Sequence, residues 1–186
     1  TMFFITGGTG IVGGRFVKLF GSPLREEDTV FAPSHSQFDV TGEELKSRIE
    51  AIKKRTPISC VINFAAKTIV DECEAERGNK DGIVWRTNAV APVILAHACH
   101  DLDLPFVQIS TDYVLGGDTY PHKEDENLGP VDSFYAQSKA EAERQLLKIG
   151  GKIHIIRIQR PFTDEDLSRS DMLRDAYRTN KENKIL

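Results

Sequence analysis

Apolar residues along the chain fall into short unbroken runs, separated by longer stretches in which they recur every three or four positions. Residues 2–6, "MFFIT", form one such run and stop at a glycine, which predicts a buried strand. In 11–20, Val12, Phe16, Leu19 and Phe20 share helical spacing, so the chain opens as strand, glycine-rich turn and helix. Further strands are expected at 29–32, 59–64 ("SCVINF"), 106–110 ("FVQIS") and 152–158 ("KIHIIRI"), with 37–40 as an additional short one. Between them, 43–54 carries Leu45, Ile49 and Ile52 on one stripe and predicts an amphipathic helix. A long helix over 84–100 is expected despite Pro92, which should either kink it or sit near its first turns. The last helix covers 132–149, with Ser133 as its N-cap. Strands that are apolar throughout, alternating with helices, belong in a parallel sheet covered on both faces. The expected fold class is therefore a doubly wound α/β fold.

Composition narrows the function classes. At 186 residues the chain is expected to form one main domain with a substantial core. Its formal charge of −4, from 24 basic and 28 acidic residues, is spread along the sequence, which argues against a nucleic-acid partner. No run reaches the roughly 18 apolar residues of a membrane span, so no membrane partner is expected. Cys60, Cys73 and Cys99 are odd in number and lack metal-ligand spacing, so a reducing, cytoplasmic setting is expected. The five histidines show no ligand spacing either, and His97 and His100 read as surface residues of a helix. No metal site is expected.

The first turn, "TGGTGIVGG", holds five glycines in eight residues, Gly7 to Gly14. Glycine in regular structure costs roughly 0.5–1 kcal/mol relative to alanine, so the cluster needs a reason. Where a strand turns into a helix, unpaired N–H groups and the helix dipole together make an anion site. Gly7 would permit the tight turn, Gly10 would let a pyrophosphate approach the backbone, and Gly13 would let the helix pack against the sheet. A glycine-rich turn with no ligand is the alternative.

In "SFYAQSKAEAE", Tyr135 and Lys139 stand four apart, on one face of the predicted helix. A phenol with an ordinary pKa near 10 must fall by about 3 to act as an acid–base group near neutrality, worth roughly 4 kcal/mol, and a nearby ammonium would help supply it. Alone, such a pair is also common on solvated helices. It is joined here by "QISTDYV", which places Ser110, Thr111 and Asp112 at a strand's carboxyl end, where α/β sheets bind ligands. Thr111 could hydrogen-bond the substrate oxygen that Tyr135 protonates. Asp112 would orient Thr111 or cap the strand end.

Glycine motif, strand-end hydroxyl and YxxxK, in that order, resemble the extended short-chain dehydrogenase/reductase superfamily. Within it the chain is most similar to the dTDP-4-dehydrorhamnose reductase group, through "NFAAKT" (63–68), "TNAVAP" (87–92), "STDYV" (110–114) and "YAQSK" (135–139). The resemblance spans about residues 2–162. It implies a Rossmann fold with strand order 3-2-1-4-5-6 and a catalytic triad of Thr111, Tyr135 and Lys139. It further implies that Gly7, Thr9, Gly10, Ile11 and Val12 contact a dinucleotide's pyrophosphate and that Asp39 and Val40 contact its adenine. Phe64, Ala65, Ala66 and Thr68 would line the ribose side, with Asn88, Tyr135 and Lys139 completing the cofactor site. Asp39 also reads as a turn residue before "VTGEE", and Asn88 as a polar residue on a wet helix face.

The implied activity is NAD(P)-dependent reduction of the keto group of a nucleotide-linked deoxysugar. Tyr113 stands where dehydratases of the superfamily carry a glutamate, which disfavours dehydration; a 4-epimerase or a non-catalytic, dinucleotide-binding regulatory subunit remain as alternatives. Neither the acidic residue that marks NAD nor a nearby arginine follows the second strand, and Ser34, His35 and Ser36 incline the reading towards NADP. A homodimer through the helices of 84–100 and 132–149 is implied as well. Residues 1–163 are read as the cofactor domain. The polar segment 164–186 is read as a remnant of a substrate domain that is otherwise largely absent.

Overall fold

The computed structural model describes residues 2–21, 29–117 and 121–162. The expected C-terminal segment 164–186 lies outside the described residues, as does residue 163 at the end of the expected cofactor domain. Among the described residues, five parallel strands form the sheet: β1 (Met2–Thr6), β2 (Thr29–Phe31), β3 (Ile58–Asn63), β4 (Phe106–Thr111) and β5 (Ile153–Ile158), in the spatial order β2-β1-β3-β4-β5.

Helix α1 (Ile11–Phe20) lies on one face, and α2 (Leu45–Arg55) lies on the other together with two helices that follow later in the chain. Successive residues of β1 divide between the faces, as strand pleating requires. Phe3 meets Phe16 of α1 edge-on at 6.3 Å, while Phe4 meets Phe38 at 4.9 Å on the other side. That second side holds the main core, in which Phe4, Leu45, Ile49, Leu95, Phe106 and Leu146 are each at most 1% exposed.

One expected strand is missing. Residues 37–40 form no strand; Phe38 and Val40 instead drop into the core, and Asp39 closes a turn by accepting from Thr41 N and Thr41 Oγ1, both at 2.8 Å. Alternating apolar residues in "QFDV" arise here from two inward side chains of a loop. The observed order is thus the expected 3-2-1-4-5-6 without its outermost strand, and β2, only three residues long, is the edge.

The long helix expected over 84–100 is real but composite. It begins after a short α3 (Val70–Glu74) and runs as α4 (Ile83–Trp85), a π-helical turn (Arg86–Val90) and α5 (Ala91–Asp101). Pro92 sits in the first turn of α5, where a missing N–H costs nothing, and the interruption belongs to the wider π-turn. Helix α6 (Phe134–Ile149) starts where the sequence places it: Ser133 Oγ accepts from Ala136 N at 3.1 Å, a cap worth about 1 kcal/mol. Glu74 of α3 adds a second cap, its Oε1 accepting from Phe134 N. Among the described residues no helix is long and apolar enough to cross a membrane.

Candidate active site

The chain runs from β1 out to β2 on one side, and from β3 to β5 on the other. This reversal leaves a crevice at the carboxyl ends of β1 and β3, the position where open α/β sheets bind ligands. Two loops meet there. Gly7 takes a φ of +70°, and any Cβ on it would overlap Ala65 N and Phe64 C in the loop after β3. Gly13 is fixed equally tightly, since a Cβ there would overlap the Gly7 carbonyl and stand 3.1 Å from Phe64 Cβ. Gly10 differs: a Cβ would meet only the Gly7 oxygen, at 3.4 Å, and otherwise open space.

Gly10 is also the N-cap of α1, with no side-chain cap and no acidic residue in the first turn. The N–H groups of that turn therefore face the crevice with the positive end of the helix dipole and no competing carboxylate. Exposed Thr9 and half-buried Ile11 and Val12 flank the turn. Across from it, Phe64, Ala65 and Ala66 are half-buried and Thr68 is exposed, so this strip borders the same crevice.

A buried ladder of amides ties the strand ends together. Thr6 Oγ1 donates to Asn63 Oδ1, Asn63 Nδ2 donates to Gln108 Oε1 at 2.8 Å, and Gln108 Nε2 donates to the Ile109 carbonyl at 2.7 Å. The same Ile109 oxygen accepts from Lys139 Nζ, also at 2.7 Å. The Lys139 ammonium is thereby linked across three strands to the residue that precedes Gly7.

Thr111, Tyr135 and Lys139 converge at the end of β4. The Thr111 hydroxyl lies near enough to the Tyr135 phenol to influence its proton. Thr111 Oγ1 donates to Asp112 Oδ1 at 3.1 Å and accepts from Tyr113 N at 3.3 Å, so Asp112 orients Thr111. The Tyr113 ring stands edge-on to that of Tyr135 at 6.2 Å.

The lowering of the phenol pKa expected from the sequence draws on a bound nicotinamide's positive charge as well as on Lys139; the protein groups around Tyr135 together act the other way. Burial pushes Tyr135 up to about 12; the Thr111 hydroxyl opposes the rise, while Cys73, Tyr113 and Asp112 add to it. Burial pulls Lys139 down to about 8, opposed by the carboxylate of Glu143 one turn along α6. At neutral pH the phenol is protonated and the ammonium charged, the states in which Tyr135 can give a proton and Lys139 can attract an oxygen.

Asn88 is wholly buried rather than on a wet face. Its Oδ1 accepts from Lys67 N at 2.8 Å, and its Nδ2 donates to Lys67 O at 2.9 Å and to Ser138 Oγ at 3.1 Å. It thus clamps the 64–68 strip to α6, and the π-turn carries it. Asn88→Ala is expected to leave Lys67 N unpaired and Lys67 O with only the Cys73 thiol, and to cost about 1–3 kcal/mol, read as a fall in denaturation midpoint.

The remaining expected contacts are less directed. Val40 is committed to the core, and Asp39 accepts both its Thr41 bonds on one oxygen; burial raises its pKa, but these bonds with the charges of His35 and Arg86 leave it below the usual value. Ser34 bonds Ser36 and Gln37 within an exposed loop beyond β2, with His35 beside Asp39. The amide ladder and the Glu143 carboxylate were not foreseeable from local pattern, because "KAEAE" reads as a solvated helix face and Asn63 and Gln108 each stand alone in an apolar run.

The chain resembles known proteins over nearly its whole length. A dTDP-4-dehydrorhamnose reductase of Mycolicibacterium smegmatis is 35% identical over 156 residues, covering 82% of this chain and 43% of the relative. A protein of Haloferax volcanii named "Probable low-salt glycan biosynthesis reductase" is 32% identical, covering 83% and 52% respectively. The chain therefore spans about half the length of the curated relatives it matches. Among solved structures, the dTDP-4-dehydrorhamnose reductase of Bacillus anthracis in complex with NADP superposes with a TM-score of 0.79 at 25% identity, covering 97% of this chain and 60% of that one. With residues 1–185 matching the family described as RmlD substrate binding domain, the chain belongs to that family.

Proposed function

We propose that the chain is the cofactor-binding and catalytic part of an NADP-dependent reductase acting on the keto group of a nucleotide-linked deoxysugar. The observation that carries this reading is the convergence of Thr111, Tyr135 and Lys139 beside a glycine turn whose Gly10 opens on free space. The name and NADP complex of the Bacillus anthracis relative support the same assignment.

The crevice fits a dinucleotide: Gly7, Thr9, Gly10, Ile11 and Val12 would hold the pyrophosphate, and Phe64, Ala65, Ala66 and Thr68 the ribose side. Asp39 and Val40 would border the adenine, with Ser34, His35 and Ser36 available to a 2′-phosphate; NAD is the alternative. Asn88 supports the ribose strip from behind. The reduced nicotinamide, when bound, supplies a hydride for the substrate's carbonyl carbon. Tyr135 donates its phenolic proton to the carbonyl oxygen. Thr111 turns its hydroxyl proton from Asp112, where it rests, to that oxygen and fixes its direction. Lys139 attracts hydroxyl oxygens of the bound cofactor and counters the negative charge left on Tyr135.

A homodimer is part of the proposal. Val90 and Ile94 are 40% and 42% exposed beside a groove lined by Trp85, Ala89 and Val93, on the face that α5 shares with α6. A second copy is the proposed occupant, and sedimentation decides it.

The reaction is tested by titrating with NADPH and NADH while following nicotinamide fluorescence, then adding a dTDP-4-keto-6-deoxyhexose and following oxidation of the reduced cofactor. Binding with oxidation supports a reductase. Binding without oxidation favours a non-catalytic dinucleotide-binding subunit, and cofactor-dependent interconversion of sugar epimers favours a 4-epimerase.

A further inference from the structure

Behind Tyr135 and Lys139 stands a charged group that the proposed reaction does not use. Glu143 is 0% exposed, one turn along α6 from Lys139. Arg157 of β5 binds both its oxygens, Nε lying 3.2 Å from each and Nη2 2.7 Å from Oε2. Arg157 Nη1 also donates to the Glu124 carbonyl at 3.2 Å, in the polar loop that precedes α6.

Carboxylates are expensive to bury, and an apolar side chain of similar volume often serves stability as well as a buried ion pair does. A pair in this position therefore invites a reason other than packing. Lys139 supplies one. Lys139 is 3% exposed and its ammonium bonds a neutral carbonyl, so burial works against the charged form. The i,i+4 spacing brings Glu143 to the same side of α6, close enough to favour the charged form.

We propose that Glu143 is a positioning residue for Lys139: its buried carboxylate keeps the ammonium charged and seated on the Ile109 carbonyl, and Arg157 limits how much of that field Lys139 feels. The inference rests on the proposed reaction for its purpose, but its electrostatics stand apart from it. Lys139 also shares the pocket with Tyr135 on its own helix. Cys73 on α3, and Asp112 and Tyr113 after β4, act in turn on Tyr135.

The two partners should act in opposite directions. In the whole cofactor-free chain, the side-chain 15Nζ and 13Cε resonances of Lys139, assigned by their loss in Lys139→Met, should titrate near pH 8. Glu143→Gln should make the ammonium about tenfold more acidic, moving the midpoint down by about 1. Arg157→Gln leaves the carboxylate unneutralised and should move the midpoint up, while Arg157→Lys, which keeps the charge, should leave it near the wild-type value. Midpoints that stay together in Glu143→Gln and Arg157→Gln, or that move the same way, would overturn the proposal and leave the pair as a structural staple. Should Glu143→Gln fail to fold, Arg157→Gln decides alone, an unchanged or lowered midpoint overturning it. NADPH titration of the wild type is read separately, so absence of cofactor binding would remove the proposed reaction without touching the outcome for Lys139.

Discussion

Tyr135→Phe is expected to lower ketosugar reduction about 10²–10⁴-fold, the usual contribution of a positioned proton donor, while leaving NADPH affinity unchanged. Only the hydroxyl is removed. The ring keeps its edge-on contact with Tyr113 and its place against the cluster of Cys73, Val84 and Phe134, so the fold should survive. With its pKa pushed up to about 12, Tyr135 holds its proton at neutral pH, as a donor to a developing alkoxide must. The matching experiments are single-turnover reduction and cofactor titration on the same preparation. Turnover close to wild type would take the proton-donor role away from Tyr135.

Gly10→Val should abolish cofactor binding without unfolding the chain. A Cβ at Gly10 reaches no protein atom within 4 Å except the Gly7 oxygen at 3.4 Å, so the added side chain projects into the space where a pyrophosphate would approach the first turn of α1. Gly13→Ala makes the contrast. Its methyl would overlap the Gly7 carbonyl, forcing α1 away from the sheet at a cost of about 1–3 kcal/mol. Nucleotide affinity and thermal midpoint, measured on both variants, should separate: Gly10→Val loses the first and keeps the second, and Gly13→Ala loses stability. Undiminished affinity in Gly10→Val would refute the anion-site reading of the glycine turn.

Most of the framework was legible because it is written in local pattern. Runs such as "MFFIT" and "SCVINF" are mostly apolar without period-two alternation, as a sheet covered on both faces requires, and Ser133 marks the start of α6 by the bond it makes to Ala136. Residues 37–40 misled because period-two alternation over four residues does not distinguish a strand from a loop with two inward side chains. Within the candidate site, the neighbours Thr111, Tyr135 and Lys139 were legible from their spacing. Their protonation was not, because burial of a phenol depends on what packs around it, and the elements that do so, α3 and the turn after β4, lie far from it in sequence. Glu143 was hidden for the same reason: Arg157 reaches it from the next strand, fourteen residues away.

The π-turn at Arg86–Val90 makes chain length part of the site's specification. An α-helix spends 3.6 residues on each turn, and a π-turn absorbs one residue more than the helix around it. Removing one residue of this turn would therefore restore ordinary helical winding and leave what lies upstream close to its present orientation relative to α5. Trp85, stacked on Phe134 at 5.6 Å, would keep its place, whereas Asn88, which sits inside the bulge and is clamped to Lys67 from there, would lose its own. A single-codon deletion that the helix itself would absorb should therefore still release the 64–68 strip, because the clamp needs the bulge as well as the asparagine.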